Sequence, residues 1–282
     1  MTIKIAVVNE SKNHETRVAV VPEIAQKLAS NNVTFSIEKN SGSASGFLDS
    51  DYPEGACSFF DTHSEAIKDA DVLFKVNPPT SEEVGFMKKG ALAVSFMNPF
   101  QNGELIKNMA SSGIDAFSVE LVPRISRAQS MDALSSQASI AGYKAVILAA
   151  NNANKFFPML TTAAGTVRPA QTLIVGAGVA GLQAIATAKR LGSRVIAFDV
   201  RSSTKEQIES LGAQFLDTGI TAEGEGGYAR ELSGEELKTQ KEALSKAIGQ
   251  SDIVITTAAV PGKPAPKLID RNTVETMAPG SV

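Results

Sequence analysis

Residues 171–201 read QTLIVGAGVAGLQAIATAKRLGSRVIAFDVR, and this stretch decides the fold of the second half of the chain. A short apolar run that ends at Val175 is typical of a buried strand, and a glycine-rich turn, Gly176–Gly181, follows it. A small-residue helix is expected from about Ala180 to Leu191, and a second strand, Arg194–Phe198, ends on an aspartate. This order of elements predicts part of a doubly wound parallel sheet.

The glycines and the aspartate predict a dinucleotide site. Gly176 allows the tight turn, Gly178 lets the backbone approach a pyrophosphate, and Gly181 lets helix and strand pack closely. The helix N-terminus offers N–H groups to the phosphates. Asp199 can accept hydrogen bonds from both hydroxyls of an adenosine ribose and would repel a 2′-phosphate, which favours NAD(H). Arg201 weakens that preference, because an arginine there can accommodate a 2′-phosphate. The alternative is a glycine-rich turn in another kind of α/β protein.

Composition narrows the class of function. The 282 residues suggest about two domains, and the net charge of -3 comes without any basic run, so we expect no nucleic-acid partner. The single Cys57 allows no internal disulfide. His14 and His63 lie far apart, with no cysteine or carboxylate cluster at ligand spacing, so no metal site is expected. No apolar run approaches the length of a membrane span, and the first residues show no secretory leader, so we expect this chain to be soluble.

Strand and helix patterns alternate along the first half, which predicts a mostly parallel sheet with helices on both faces. The expected strands are Lys4–Val8, Val33–Ile37, Asp71–Val76, Ala91–Phe96 and Ile114–Val119, and the expected helices are Pro22–Ala29, Ser64–Lys68, Ser81–Met87 and Glu104–Ser111. We predict two Rossmann-like domains, 1–135 and 136–282, joined by a long helix, Gln137–Ala153. The second domain is expected to be incomplete at its C-terminus, because Pro279–Val282 reads as the approach to another sheet strand.

Three segments outside the glycine turn could carry chemistry, and each has two interpretations. The polar stretch Pro123–Asp132 is either a cofactor site at a domain junction or a solvated linker before a helix capped by Ser135 or Ser136. Arg17 and Lys75 could bind a small carboxylic acid, or they could belong to an ion-pair network with Glu15. The long polar segment Thr218–Glu236 is either a loop that closes over a nucleotide or a disordered insertion.

Several of these motifs together resemble one family. The chain resembles the NAD(H)-binding domain of proton-translocating nicotinamide nucleotide transhydrogenase, which belongs to the alpha subunit in bacteria, and it is similar to alanine dehydrogenase in fold. The resemblance spans nearly the whole chain and rests on NESKNHETRVAVVP, LFKVNPP, VPRISRAQSMDALSSQASIAGYKAV, LIVGAGVAGLQAIATAKRLGSRVIAFDVR, GGYARE and IVITTAAVPGKPAPKLI. RISRAQSMD and GGYARE are the segments specific to transhydrogenases.

The resemblance assigns roles to particular residues. It implies that Arg124, Gln129 and Asp132 position the nicotinamide half of NAD(H), with Ser135 beside them, and that no acid or base is needed. It implies that the pyrophosphate lies against Gly176, Gly178, Val179 and Gly181, and the adenosine ribose against Asp199, Val200 and Arg201. The remaining residues expected at the cofactor are Ile125, Ser126, Arg127, Gly227, Tyr228, Gln240 and Ala259, with Tyr228 at the tip of a mobile loop.

The resemblance also implies an activity and partners. The family is an Si/Re-specific, proton-translocating NAD(P)+ transhydrogenase, in which hydride passes directly from NAD(H) to NADP(H) held by a partner domain. The domain is expected to form a homodimer at the cytoplasmic face of the bacterial inner membrane, beside a membrane-spanning subunit. Two alternatives stay open: an alanine dehydrogenase and a non-catalytic NAD-binding module. The alanine dehydrogenase histidine aligns with Asn98, which cannot transfer a proton.

Overall fold

The computed structural model describes residues 2–11, 14–222, 230, 232–258, 265 and 267–282. The chain divides into two compact units, Met1–Ala133 and Leu134–Val282. Each unit contains its own parallel sheet, with helices in the connections between strands. The prediction of a two-domain α/β fold with parallel sheets is therefore confirmed.

The first unit contains a six-stranded sheet. Its strands are β1 (Ile3–Val7), β2 (Val33–Glu38), β3 (Cys57–Phe60), β4 (Val72–Phe74), β5 (Leu92–Ser95) and β6 (Asp115–Ser118). Its helices are α1 (Pro22–Ala29), α2 (His63–Ile67), α3 (Ser81–Phe86) and α4 (Gly103–Ser111). The spatial order β3-β2-β1-β4-β5-β6 reverses direction between β1 and β4. Open α/β sheets bind ligands at such a reversal, beyond the carboxyl ends of the strands.

Local chemistry explains where these elements begin. Ala6 and Val7 are fully buried, because helices cover both faces of a parallel sheet. Pro22 opens α1, where its missing N–H costs no hydrogen bond. Thr80 and Glu83 form a capping box at the start of α3, each side chain accepting a hydrogen bond from the backbone N–H of the other.

The second unit is built around a smaller parallel sheet. Its strands are β9 (Gln171–Val175), β10 (Arg194–Phe198), β11 (Gln214–Phe215) and β12 (Ile253–Thr256), preceded by an antiparallel pair, β7 (Leu160–Thr162) and β8 (Gly165–Val167). Its helices are α5 (Ala133–Asn152), α6 (Val179–Arg190), α7 (Thr204–Ser210), α8 (Gly234–Gly249) and α9 (Arg271–Val274). The order β11-β10-β9-β12 puts the reversal between β9 and β12. Val282 adds to the β12 edge through backbone hydrogen bonds with Asp252 and Val254.

Several elements differ from the sequence-based expectations, among them helices α7 and α9, which were not expected. The long helix α5 begins at Ala133, so Ser135 and Ser136 lie inside it and do not cap it; Ala133 and Leu134 are strong helix formers and extend it. Strand β3 was not expected, because its four residues at a sheet edge carry too short a pattern. The β7–β8 hairpin was also missed, because its strands have three residues each and are exposed throughout, so no alternation marks them.

Within the described part of the chain, no helix is both long enough and apolar enough to cross a bilayer.

Candidate functional site

The turn after β9 gives its three glycines different surroundings. Gly176 has a φ of 100°, a conformation that side chains strongly disfavour. A Cβ atom on Gly181 would collide with the Gly176 carbonyl oxygen, so this glycine is required for close packing of helix and strand. Gly178 has an ordinary φ of -77°, and a Cβ atom there would meet no described heavy atom within 4 Å. No contact within the described protein therefore requires a glycine at 178, whereas a ligand lying against the backbone would.

The N-terminus of α6 begins directly after Gly178, which is its N-cap residue. The N–H groups of the first helical turn have no partner within a helix, and the helix dipole adds a partial positive charge there. Val179 is 39% exposed, so this end of α6 is open to solvent. An open helix N-terminus beside an uncrowded glycine fits a pyrophosphate.

Asp199 lies directly after β10 and is only 7% exposed. Its Oδ2 atom accepts hydrogen bonds from the Ala177 N–H at 2.7 Å and from Arg201 Nη2 at 2.8 Å. Its Oδ1 atom accepts from the Arg201 N–H at 3.0 Å and from Arg201 Nε at 2.8 Å. Burial would raise the pKa of Asp199, but these hydrogen bonds outweigh burial and lower the pKa below its ordinary value. A carboxylate is thereby held ionised beside the glycine turn.

The other residues predicted around the cofactor in the second unit occupy varied positions. Val200 packs partly buried against the cluster around Leu244. Gln240 is buried on α8, one turn before Leu244, whereas Ser135 lies within the first turn of α5. Gly227, Tyr228 and Ala259 lie outside the described residues.

Sequence reasoning missed one residue of the turn. Thr257, just after β12, donates a hydrogen bond from Oγ1 to the Gly176 carbonyl oxygen at 3.0 Å and lies against Gly181. The only signal was a polar residue at the end of an apolar strand, IVITT, beside the reversal of the sheet. Thr257 therefore links the end of β12 to the glycine turn by a hydrogen bond and stabilises the conformation of that turn.

The loop expected to hold the nicotinamide belongs to the first unit. Residues Ser126–Met131 form a 3-10 helix, and the side chains of Ile125, Ser126, Arg127 and Gln129 are exposed. Arg124 Nε lies 3.9 Å from Asp132 Oδ2, so the two charges flank the helix and face each other. The loop is thus an ordered turn closed by an ion pair.

A separate pocket of about 410 Å³ lies at the strand reversal of the first unit. Lys75, just after β4, lies in it and donates to both carboxylate oxygens of Glu83 at 2.7 Å; the two side chains are 6% and 3% exposed. Arg17 makes a bidentate pair with Glu15 at 2.8 Å. The hydrogen bonds from Arg17 outweigh burial and lower the pKa of Glu15 to about 2. Both cations considered for a carboxylic-acid ligand are therefore bound to carboxylates of the chain itself.

Asn98 occupies the position at which the resemblance to alanine dehydrogenase places a histidine. Its φ is 45°, its backbone N–H donates to a Glu120 carboxylate oxygen at 2.5 Å, and its side-chain amide donates to Gln101 at 2.8 Å. An amide held in this way fixes a turn and has no proton to exchange with a substrate.

The sequence matches two family descriptions that together cover almost the entire chain. Residues 6–141 match the alanine dehydrogenase/PNT N-terminal domain, and residues 145–282 match the alanine dehydrogenase/PNT C-terminal domain. The chain is 46% identical over 286 residues to an NAD(P) transhydrogenase alpha subunit of Rickettsia prowazekii, covering 99% of this chain and 75% of that protein. The corresponding protein of Rhodospirillum rubrum is 45% identical over 289 residues, with the same coverage.

Solved structures agree with the sequence relatives. The transhydrogenase of Sinorhizobium meliloti superposes with a TM-score of 0.86 at 42% identity, covering 99% of this chain and 76% of that one. An L-alanine dehydrogenase superposes with a TM-score of 0.80 at 25% identity, covering 99% and 72%. The chain therefore belongs to the alanine dehydrogenase/PNT family, and it is homologous to NAD(P) transhydrogenase alpha subunits, with alanine dehydrogenases as more distant relatives.

Proposed function

We propose that this chain is the NAD(H)-binding component of a proton-translocating NAD(P)+ transhydrogenase. The observation that carries the proposal is the glycine turn. There, Gly178 has no neighbour within 4 Å among the described residues, the N-terminus of α6 is exposed, and the ionised Asp199 carboxylate lies at the end of the next strand. A dinucleotide needs these three features together, for its pyrophosphate and its adenosine ribose. The transhydrogenase names of the relatives from Rickettsia and Rhodospirillum support the same assignment.

In this proposal the chain's residues position reactants and transfer no proton. When bound, the nicotinamide supplies the hydride that passes between NAD(H) and the NADP(H) held by a partner domain. Arg124, Gln129 and Asp132 orient the nicotinamide half, and their neighbours Ile125, Ser126 and Arg127 line the same loop. Such a reaction depends on alignment and exclusion of water, so a loop of exposed hydrogen-bonding groups closed by an ion pair suits it.

We also propose that the chain works as a homodimer, peripheral to the cytoplasmic face of a bacterial inner membrane, with an NADP(H)-binding domain and a membrane-spanning subunit as partners. The support for the dimer is helix α5, whose solvent side carries a group of exposed apolar side chains around Lys144. One face is buried in the second unit through Gly142, Val146 and Ala149. The other carries three side chains that are at least half exposed, Ile140, Tyr143 and Leu148. Apolar side chains grouped on the solvent side of one helix are typical of a surface that another chain covers, and a second copy would cover these three.

The alanine dehydrogenase alternative is disfavoured by the partners of three side chains in the first unit. Arg17 and Lys75 are neutralised by Glu15 and Glu83, and Asn98 cannot act as an acid or base. A small carboxylic acid would have to displace a buried ion pair to bind. The chain is 28% identical to the alanine dehydrogenase of Halomonas elongata, well below its identity to the transhydrogenase subunits.

The decisive experiment mixes the purified chain with an NADP(H)-binding domain of a transhydrogenase and follows hydride transfer from NADH to an NADP+ analogue by absorbance. We expect transfer that requires both proteins, and no oxidation of NADH by the chain with pyruvate and ammonia. Turnover of pyruvate would replace the proposal with an amino-acid dehydrogenase. NADH binding without transfer to any NADP+ analogue would leave a non-catalytic NAD-binding module.

Gln129→Asn tests the positioning role. Shortening the exposed amide by one methylene disturbs ring alignment and removes little binding area, so we expect NADH affinity within about twofold of wild type and a hydride-transfer rate at least about tenfold lower. Stopped-flow transfer and NADH titration measure the two quantities separately. A large loss of affinity with an unchanged transfer rate would show that Gln129 holds the cofactor without aligning it.

A further inference from the structure

The Asp199 carboxylate is fully occupied by donors of the chain itself. A carboxylate offers about four acceptor positions on its two oxygens. In Asp199 these positions receive two backbone N–H groups, from Ala177 and Arg201, and two guanidinium N–H groups, from Arg201. An adenosine ribose can donate its two hydroxyls to this carboxylate only if other donors withdraw.

The guanidinium of Arg201 is the donor that can withdraw. The two backbone N–H groups are fixed by the turn after β9 and by the chain that leads into α7, where the Arg201 carbonyl accepts from the N–H and the hydroxyl of Thr204. The Arg201 side chain, by contrast, is 21% exposed and reaches Asp199 through rotatable bonds. Its departure would empty one acceptor position on each oxygen and leave the backbone contacts in place.

We propose that Arg201 competes with the adenosine ribose for Asp199 and thereby sets both the affinity for NADH and its discrimination from NADPH. The inference rests on the dinucleotide site of the proposed function. Binding of NADH exchanges two charge-assisted hydrogen bonds from Arg201 for two from ribose hydroxyls, so the pair lowers the affinity. Binding of NADPH brings a 2′-phosphate instead, and the displaced guanidinium can pair with that phosphate and offset its repulsion by Asp199.

The residue to vary is Arg201, because Asp199 also holds the Ala177 N–H and a change there would alter the turn itself. We would titrate the full chain with NADH and with NADPH by nucleotide fluorescence, comparing wild type with Arg201→Ala and Arg201→Lys. Arg194→Ala is the matched control: it removes the same charge at the opposite end of β10. Circular dichroism and a melting curve establish that each variant is folded.

We expect Arg201→Ala to bind NADH about three- to tenfold more tightly, since one or two competing hydrogen bonds to a charged group are removed. The same variant should bind NADPH more weakly, so its selectivity for NADH rises. Arg201→Lys keeps the charge but cannot make the bidentate interaction with Asp199. Its NADH affinity should therefore be intermediate between those of wild type and Arg201→Ala. Arg194→Ala should change both affinities little, because Arg194 lies at the far end of β10 and its charge is screened by salt over that distance.

Weaker NADH binding by both Arg201 variants than by Arg194→Ala would overturn the inference, because it would make Arg201 a direct ligand of the nucleotide. Unchanged selectivity in Arg201→Ala would overturn it as well. If Arg201→Ala does not fold, Arg201→Lys alone decides between tighter and weaker NADH binding. Failure of wild type to bind NADH would instead remove the proposed function, and the two failures are thus distinguishable.

Discussion

Gly178 and Gly181 are three residues apart in one turn, but the space around their Cα atoms differs. A side chain at Gly181 would collide with the Gly176 carbonyl oxygen, so that glycine serves the fold. A side chain at Gly178 would meet no heavy atom of the described residues and would start from an ordinary backbone conformation, so this glycine is required only by a molecule that lies against the turn. Within this one motif, Gly181 is therefore needed for folding and Gly178 for binding.

This contrast gives a prediction for two matched alanine variants. Gly178→Ala should leave the melting temperature within about one degree of wild type and weaken NADH binding at least about tenfold, since a methyl group fills space meant for phosphate. Gly181→Ala should destabilise the second unit by about 1–3 kcal/mol, because helix and strand must move apart. Differential scanning calorimetry and NADH titration give both values. Normal NADH affinity in Gly178→Ala would place the dinucleotide elsewhere.

At the scale of single elements, α3 shows how a short helix is fixed to a sheet. Glu83 accepts the Thr80 N–H at 2.7 Å in the capping box and both oxygens receive Lys75 Nζ from the end of β4. One buried carboxylate therefore closes the helix N-terminus and ties the helix to the strand. The charge on Glu83 is needed because Lys75 is buried beside it.

Removing one partner of this pair should cost far more than removing both charges. We expect Lys75→Met to lower the free energy of unfolding by about 3 kcal/mol, because it removes the buried ammonium group and leaves the buried Glu83 carboxylate beside the Thr80 N–H and His63 Nδ1, which lies 3.2 Å away. Adding Glu83→Gln should recover most of that loss, since the amide oxygen still caps Thr80. Urea unfolding measures each value, and Lys88→Met is the control, because the Lys88–Asp71 pair is more than 40% exposed and should contribute less than about 1 kcal/mol. Equal losses in the single and double variants would contradict the buried-pair argument.

The elements also show what the sequence could and could not predict. Long strands and helices with a strong pattern, such as β9 and α6, were predicted to within about one residue, because local periodicity determines them. The position of Asp199 after β10 was predicted for the same reason. The donors to Asp199 were not, because Ala177 meets it only when β9 and β10 pair in register. The partner of Lys75 was missed similarly: Glu15 was considered, but the fold brings Glu83 to it.

For the whole molecule, the exposed face of α5 bears on how copies of the chain associate. Its apolar residues Ile140, Tyr143 and Leu148 are at least half exposed, while the opposite face is buried in the second unit. Other exposed apolar side chains of that unit lie in the β7–β8 hairpin or just before it, namely Phe156, Met159, Leu160 and Val167. Scattered exposed apolar residues are common on monomers, but several on the solvent side of one helix are typical of an interface.

Leu148→Glu tests whether that face joins two copies. Leucine and glutamate have similar helix propensities, so α5 should stay intact while a charge replaces one of its exposed apolar side chains. We expect wild type to sediment as a dimer and Leu148→Glu to raise the dimer dissociation constant at least about tenfold, because a buried apolar contact of this size is worth roughly 2 kcal/mol at an interface. The control is Leu48→Glu, the same change at a leucine of the first unit that is 62% exposed. Analytical ultracentrifugation over a range of concentrations distinguishes the three proteins.

A monomeric wild type, or equal dissociation constants for wild type and Leu148→Glu, would remove α5 from the interface, whereas a shift confined to Leu148→Glu would assign the dimer to this helix.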